Sequence, residues 1–83
     1  MSEATFFLFI AGVKALKSKK ALNNIKNHFK EKDCSLMVVD ILENPHVAES
    51  VGIVATPLLM RTTPEPVRRF VGDFTNSEQD LFI

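Results

Sequence analysis

The sequence predicts a single α/β domain whose first half is a strand–helix–strand unit. Two continuous apolar runs of strand length, one stopped by Gly12 and one ending at Ile41, flank a segment with helical periodicity. Continuous rather than alternating apolar character indicates strands that are buried on both faces, as in a parallel sheet. A chain of 83 residues with 46% hydrophobic and 24% charged residues has the size and composition of one globular domain, which we assign to residues 1–83.

The elements of the first half follow one another without ambiguity. The first strand is expected over residues 5–11, and the second, which also has the composition of a central strand, over residues 36–41. Ser18 is the expected N-cap of the helix between them, which should reach Glu31. One face of this helix carries an apolar stripe, formed by Ala21, Leu22, Ile25 and Phe29. The two strands should be parallel, with a right-handed crossover.

The second half begins with a segment that fits either a helix or a strand. Residues 46–51 fit a short helix, with Asn44 as its N-cap, Pro45 at its first position and Gly52 after its end. The same segment, continued through Val54, is rich enough in β-branched residues to form a strand. Periodicity does not choose between the two interpretations.

The remainder of the second half is equally open. Residues 56–61 have strand composition, although Pro57 also suits the start of a helix. Residues 67–71 lead into a turn at Gly72 and Asp73. A last short helix, capped by Thr75 or Ser77, is expected to end at Ile83.

The charge distribution points to binding of another protein. Seven lysines against two glutamates give residues 1–32 a net charge of +5, whereas three arginines against eight acids give residues 33–83 a net charge of −5. Such polarity favours protein association, and the balanced total argues against nucleic acid as a partner. Lysines at the start of a helix oppose its macrodipole, so we expect the basic residues to bind an acidic partner surface or to form a solvated face. The candidates are Lys14, Lys17, Lys19, Lys20, Arg68 and Arg69.

The sequence lacks the features of several classes of enzyme. Thiol–disulfide exchange in a fold that begins in this way needs a reactive cysteine at the start of the first helix and a second one nearby. The only cysteine, Cys34, lies beyond that helix. Neither histidine has a ligand at metal-binding spacing, and the three glycines are isolated, so no metal, cofactor or catalytic residue is predicted. With no long apolar segment and no leader-like N-terminus, we expect a cytoplasmic protein without a membrane partner.

Several segments in fixed order closely resemble the KaiB family of small clock proteins. They are the sequences FLFIAG, SKKALNNI, LMVVDILENPHVAE, IVATPLL and PEPVRRFVGD, and together they cover about residues 5–82. The resemblance implies a thioredoxin-related, non-enzymatic protein that docks on a KaiC-type RecA-like ATPase, in circadian timing or in stress adaptation. A related alternative is a sensor or adaptor domain like that of the clock histidine kinase SasA, which would make a sensor histidine kinase a second partner. A thiol–disulfide oxidoreductase is the third and weakest alternative.

The same resemblance implies a second half that changes its fold. Family members rest as a βαββααβ dimer or tetramer and switch to a thioredoxin-like βαβαββα monomer on binding. We expect the resting arrangement for the isolated chain, because the other depends on a partner. Three residues are candidates for controlling the switch, namely Pro57, Gly72 and Asp73.

Overall fold

A computed structural model describes residues 4–30, 32–72 and 74. In chain order it contains β1 (Ala4–Ile10), α1 (Leu16–His28), β2 (Cys34–Asp40), α2 (Pro45–Val51), β3 (Leu58–Thr63) and β4 (Arg68–Val71). The four strands form one sheet in the order β2-β1-β3-β4, with β1 parallel to β2 and the other pairs antiparallel. The predicted α/β class and the strand–helix–strand start are confirmed.

The core lies between α1 and one face of the sheet. Alternate residues of β1 point to this face, where Phe6, Leu8 and Ile10 are buried. The predicted apolar stripe of α1 packs against them, with Ala21 and Ile25 fully buried and the ring of Phe29 4.6 Å from that of Phe6. The intervening residues of β1 point to the opposite face of the sheet, where they border α2 along an apolar groove lined by Phe7, Phe9, Val39, Val47, Val51 and Met60.

Three details of the first half differ from the prediction. Helix α1 begins at Leu16 with Ala15 at the N-cap position, so Ser18 lies in the first turn and is not the cap. The helix also ends at His28, short of the predicted Glu31. Strand β2 is an edge strand of the described sheet rather than a central one, because β3 occupies the other side of β1. Consistent with an edge position, Met37 and Val38 are exposed.

The second half has the thioredoxin-like arrangement, so the resting βαββααβ arrangement that we expected is wrong for this structure. Residues 45–51 are helical, with Pro45 in the first turn and Gly52 closing the helix in the left-handed conformation at φ 76°. Val47 and Val51 are four residues apart and therefore line one helix face toward the sheet. The β-branched residues that also fit a strand thus form the sheet-facing side of this helix.

Two further features of the second half clarify the sequence prediction. Asn44 occupies the N-cap position of α2, but its side-chain amide donates to the Asp40 carbonyl oxygen at 3.1 Å and makes no cap hydrogen bond. The peptide bond between Thr56 and Pro57 is cis, immediately before β3. The predicted last helix, from Thr75 or Ser77 to Ile83, lies outside the described residues.

Candidate partner-binding surface

A groove of about 440 Å³ opens at the N-terminal end of α1. One wall is the start of the helix and the other is the segment that precedes β3. The lining residues are Ala11, Ala15, Leu16, Lys17, Ser18, Thr56 and Pro57. The groove therefore brings Lys17 and Pro57, two site residues predicted for different reasons, to one place on the surface.

The loop that leads into α1 is held by Asp40, at the end of β2. The Oδ1 atom of Asp40 accepts hydrogen bonds from the backbone N–H groups of Gly12 and Leu42, both at 2.9 Å. The Gly12 carbonyl oxygen then accepts from the N–H of Ala15 at 3.2 Å, which places the beginning of the helix. Asp40 is not among the predicted site residues, and its position at the end of a strand is the sequence signal that it anchors a loop.

Pro57 is joined to the end of β4. The N–H of Gly72 donates to the Pro57 carbonyl oxygen at 3.1 Å, and Pro57 itself is buried. Gly72 has φ 136°, a backbone conformation that residues with a β-carbon rarely adopt. Two of the three predicted switch residues are thus in direct contact, whereas Asp73 lies outside the described residues.

The four lysines of the basic cluster are exposed, and none makes an ion pair with a described residue. They do not share one face. At 3.6 residues per turn, Lys17 and Lys20 lie about 60° apart around α1, whereas Lys17 and Lys19 lie about 160° apart. Lys17 alone of the four lines the groove, and Lys14 belongs to the loop before the helix. The patch that can contact one flat partner surface is therefore centred on Lys17 and Lys20.

The two arginines of β4 point to opposite faces of the sheet, because side chains alternate along a strand. Arg69 extends toward α2, where its guanidinium donates to the carbonyl oxygens of Val51 at 2.6 Å and Gly52 at 3.2 Å. A cation at the C-terminus of a helix is favoured by the helix dipole. The Arg69 side chain thus links β4 to the C-terminal end of α2 by hydrogen bonds. Arg68 is exposed on the opposite face of the sheet.

The only cysteine lies away from the groove. Cys34 is the first residue of β2 and pairs with Ala4, at the opposite end of β1 from Ala11. At about 3.3 Å per residue, the two ends of β1 are separated by about 20 Å. The thiol therefore does not line the groove, where a thioredoxin-like reaction would require it.

We expect the Cys34→Ser variant to fold normally, with a free energy of unfolding within about 1 kcal/mol of the wild-type value. The substitution is nearly isosteric, and the side chain is half-buried beside the core. Urea unfolding measures the stability, and reduction of insulin by dithiothreitol tests for disulfide exchange. Catalysis of insulin reduction that disappears in the variant would contradict the assignment of Cys34 as non-catalytic.

Among solved structures, the fold is similar to both a clock-protein domain and thioredoxins. The N-terminal domain of SasA from Synechococcus elongatus matches with a TM-score of 0.72 at 20% identity, over 89% of this chain and 72% of that one. Mitochondrial thioredoxin 3 from Saccharomyces cerevisiae also gives a TM-score of 0.72, at 15% identity, over 88% of this chain and 70% of that one. At these identities the likeness establishes the thioredoxin-like fold alone. Among the described residues, no helix is long and apolar enough to cross a membrane.

Sequence comparison is more specific. The circadian clock oscillator protein KaiB of Thermostichus vulcanus is 41% identical over 76 residues, covering 89% of this chain and 70% of that protein. The protein of the same name from Picosynechococcus sp. is 40% identical over 79 residues, covering 73% of its length. The family described as the KaiB domain matches residues 7–83. The chain therefore belongs to the KaiB family.

Proposed function

We propose that this protein is a non-enzymatic regulator that docks on a KaiC-type RecA-like ATPase, in circadian timing or in stress-adaptation signalling. The observation that carries the proposal is the combination of KaiB family membership with a groove that lacks a thiol but borders exposed lysines. A thioredoxin-like groove without a thiol is suited to binding rather than to disulfide exchange. The docking surface that we propose is the α1 patch, formed by Lys17 and Lys20 with Lys14 and Lys19 at its margins. Arg68 is a further candidate contact.

The patch is expected to act mainly by electrostatic steering. Lysines in the first turn of a helix cost about 0.3–1 kcal/mol each at low salt, because they face the positive end of the dipole. An acidic partner surface would offset that cost and accelerate association. Arg69 contributes less directly, since its guanidinium is engaged with the C-terminal carbonyl groups of α2.

We expect the double variant Lys17→Glu/Lys20→Glu to associate with a KaiC-type ATPase more slowly than the wild type, and with a weaker dependence on salt. The physical reason is the loss of steering by the α1 patch. The matched control is Lys26→Glu/Lys30→Glu, which makes the same charge change at two exposed positions. Lys26 lies in the last turn of α1 and Lys30 just after it, at the end of the helix away from the groove. Biolayer interferometry at several salt concentrations measures both. Equal association rates for the two double variants would overturn the assigned patch.

A SasA-type sensor or adaptor role is the second candidate, favoured by the structural match to the SasA N-terminal domain. The two roles are separated by a competition experiment on one ATPase ring. A KaiB-type regulator is expected to displace the SasA domain and to remain active as a free chain. An adaptor is expected to act only when joined to a kinase.

We further propose that the second half switches between two arrangements, as the family implies, and that the resting form is a cytoplasmic dimer or tetramer. The support is local. Residues 46–54 fit a helix or a strand by composition, and Pro57 suits the start of a helix as well as its position before a strand. Size-exclusion chromatography with light scattering, with and without the ATPase, tests whether an oligomer dissociates on binding.

A further inference from the structure

Ser18 is a buried polar residue whose hydroxyl group has no partner among the described residues. Only 4% of the residue is exposed, yet no described group donates to its Oγ or accepts from it. Burying a hydroxyl without a hydrogen bond is costly, so such groups in proteins are usually paired or in contact with solvent. Its Oγ is not among the fully occluded side-chain atoms that lack a hydrogen bond. Since Ser18 lines the groove, that remaining access opens into the groove.

The backbone around Ser18 adds further unused donors. The first hydrogen bond of α1 runs from the N–H of Lys19 to the Ala15 carbonyl oxygen at 3.0 Å. The N–H groups of Leu16, Lys17 and Ser18 precede that bond, as the first N–H groups of any helix do. No side chain caps this end, since Ala15 occupies the N-cap position. The groove is therefore bordered by backbone donors at the positive end of a 13-residue helix.

The charges bordering the groove have one sign. Lys17 is the only charged residue among the described residues that line it, and the first turn of α1 contains no acid. Asp40 contacts the loop before the helix, but it does not line the groove, and its Oδ1 already accepts from Gly12 and Leu42. A hydroxyl, several free N–H groups and an ammonium group around one concavity match the requirements of a tetrahedral oxyanion.

We propose that this groove is a phosphate-binding site, in which Ser18 and the first-turn N–H groups hold the oxygens of a phosphate dianion and Lys17 balances its charge. The dianion is that of inorganic phosphate or of a phosphate monoester. The site is independent of docking on an ATPase, because it requires only the isolated chain and a small anion. Either proposal can therefore fail while the other stands.

The test is a titration of the isolated ¹⁵N-labelled protein with inorganic phosphate, followed by two-dimensional amide NMR at constant ionic strength set with chloride. We expect saturable shifts of the Leu16, Lys17 and Ser18 amide signals. Ser18→Ala should weaken binding by about tenfold, the effect of losing one hydrogen bond to a charged group. The matched control is Ser50→Ala, which removes an exposed hydroxyl on α2 and should leave binding unchanged.

Separate arms identify the source of the anion and the role of charge. Titration with an amide-capped phosphoserine tests a monoester, and tighter binding than inorganic phosphate would identify a phosphorylated side chain as the ligand. Lys17→Gln should weaken phosphate binding several-fold, whereas Lys26→Gln at the other end of α1 should not. Shifts that do not saturate, or that spread evenly over all the lysines, would overturn the proposal. Unaltered phosphate affinity in Ser18→Ala would also overturn it. If that variant does not fold, the amide shifts of the wild-type protein decide whether phosphate binds at the first turn of α1.

Discussion

The Phe6→Ala variant is expected to lose about 3–5 kcal/mol of its free energy of unfolding, the range for truncating a large buried side chain. Phe6 is fully buried at the centre of the core, and its ring packs against Phe29 with a centroid distance of 4.6 Å. A chain of this length is expected to be stable by only about 4–12 kcal/mol, at about 0.05–0.15 kcal/mol per residue. The substitution therefore removes a large part of the total stability.

Urea unfolding followed by circular dichroism measures this loss. The control is Val54→Ala, at a side chain that is 95% exposed, which should change the stability by less than about 0.5 kcal/mol. A loss of less than about 1 kcal/mol in Phe6→Ala would show that its ring is not buried as described. Phe6 also pairs with Arg61 of β3 and shares the core with Leu59, so the expected loss applies to the arrangement described here.

The second large effect is expected at Gly72, where Gly72→Ala should disfavour the arrangement seen here. An added β-carbon meets no atom within 4 Å, so the expected cost is that of the backbone conformation alone. Alanine at positive φ costs about 1–2 kcal/mol, and each 1.4 kcal/mol changes a ratio of populations tenfold. If two arrangements are populated, their ratio should shift about tenfold away from the structure described.

Two-dimensional amide NMR of the wild type and Gly72→Ala, each with and without the ATPase, measures the ratio. We expect two sets of signals from residues 46–72, with the set that belongs to this structure reduced in the variant and restored by the partner. Val71→Ala is the control, because this neighbouring strand residue is half-exposed and needs no unusual backbone conformation. A single set of signals that is identical in all four samples would contradict a switching second half.

The limits of the sequence prediction follow from which interactions are local. Helix α1 was predictable because the residues of its apolar stripe recur in consecutive turns of the sequence. Strand β1 was predictable because both of its faces are apolar. A capping serine and a buried serine such as Ser18 look alike until the start of the helix is known. Here that start depends on the loop before α1, where Gly12 is held by Asp40, 28 residues away in sequence. Only the tertiary structure reveals such a contact.

The second half was less predictable for the same reason. Residues 46–51 have a composition that fits either a helix or a strand, and no local pattern chooses between the two. The basic cluster is recognisable in sequence, but its division around α1 follows only from the bounds of the helix. The two β4 arginines are adjacent in sequence and lie on opposite faces of the sheet, because side chains alternate along a strand. The groove itself joins two segments about 40 residues apart, which no local pattern could indicate.

The two open edges of the described sheet differ in how well they resist self-association. Unpaired strand edges are where chains add to one another and aggregate, and proteins protect them with short length and charge. Strand β4 has four residues and begins with two arginines, whereas β2 has seven residues and exposes Met37. Self-association at high concentration should therefore begin at β2. Charged substitutions on that strand should raise the solubility of the protein more than substitutions on β4.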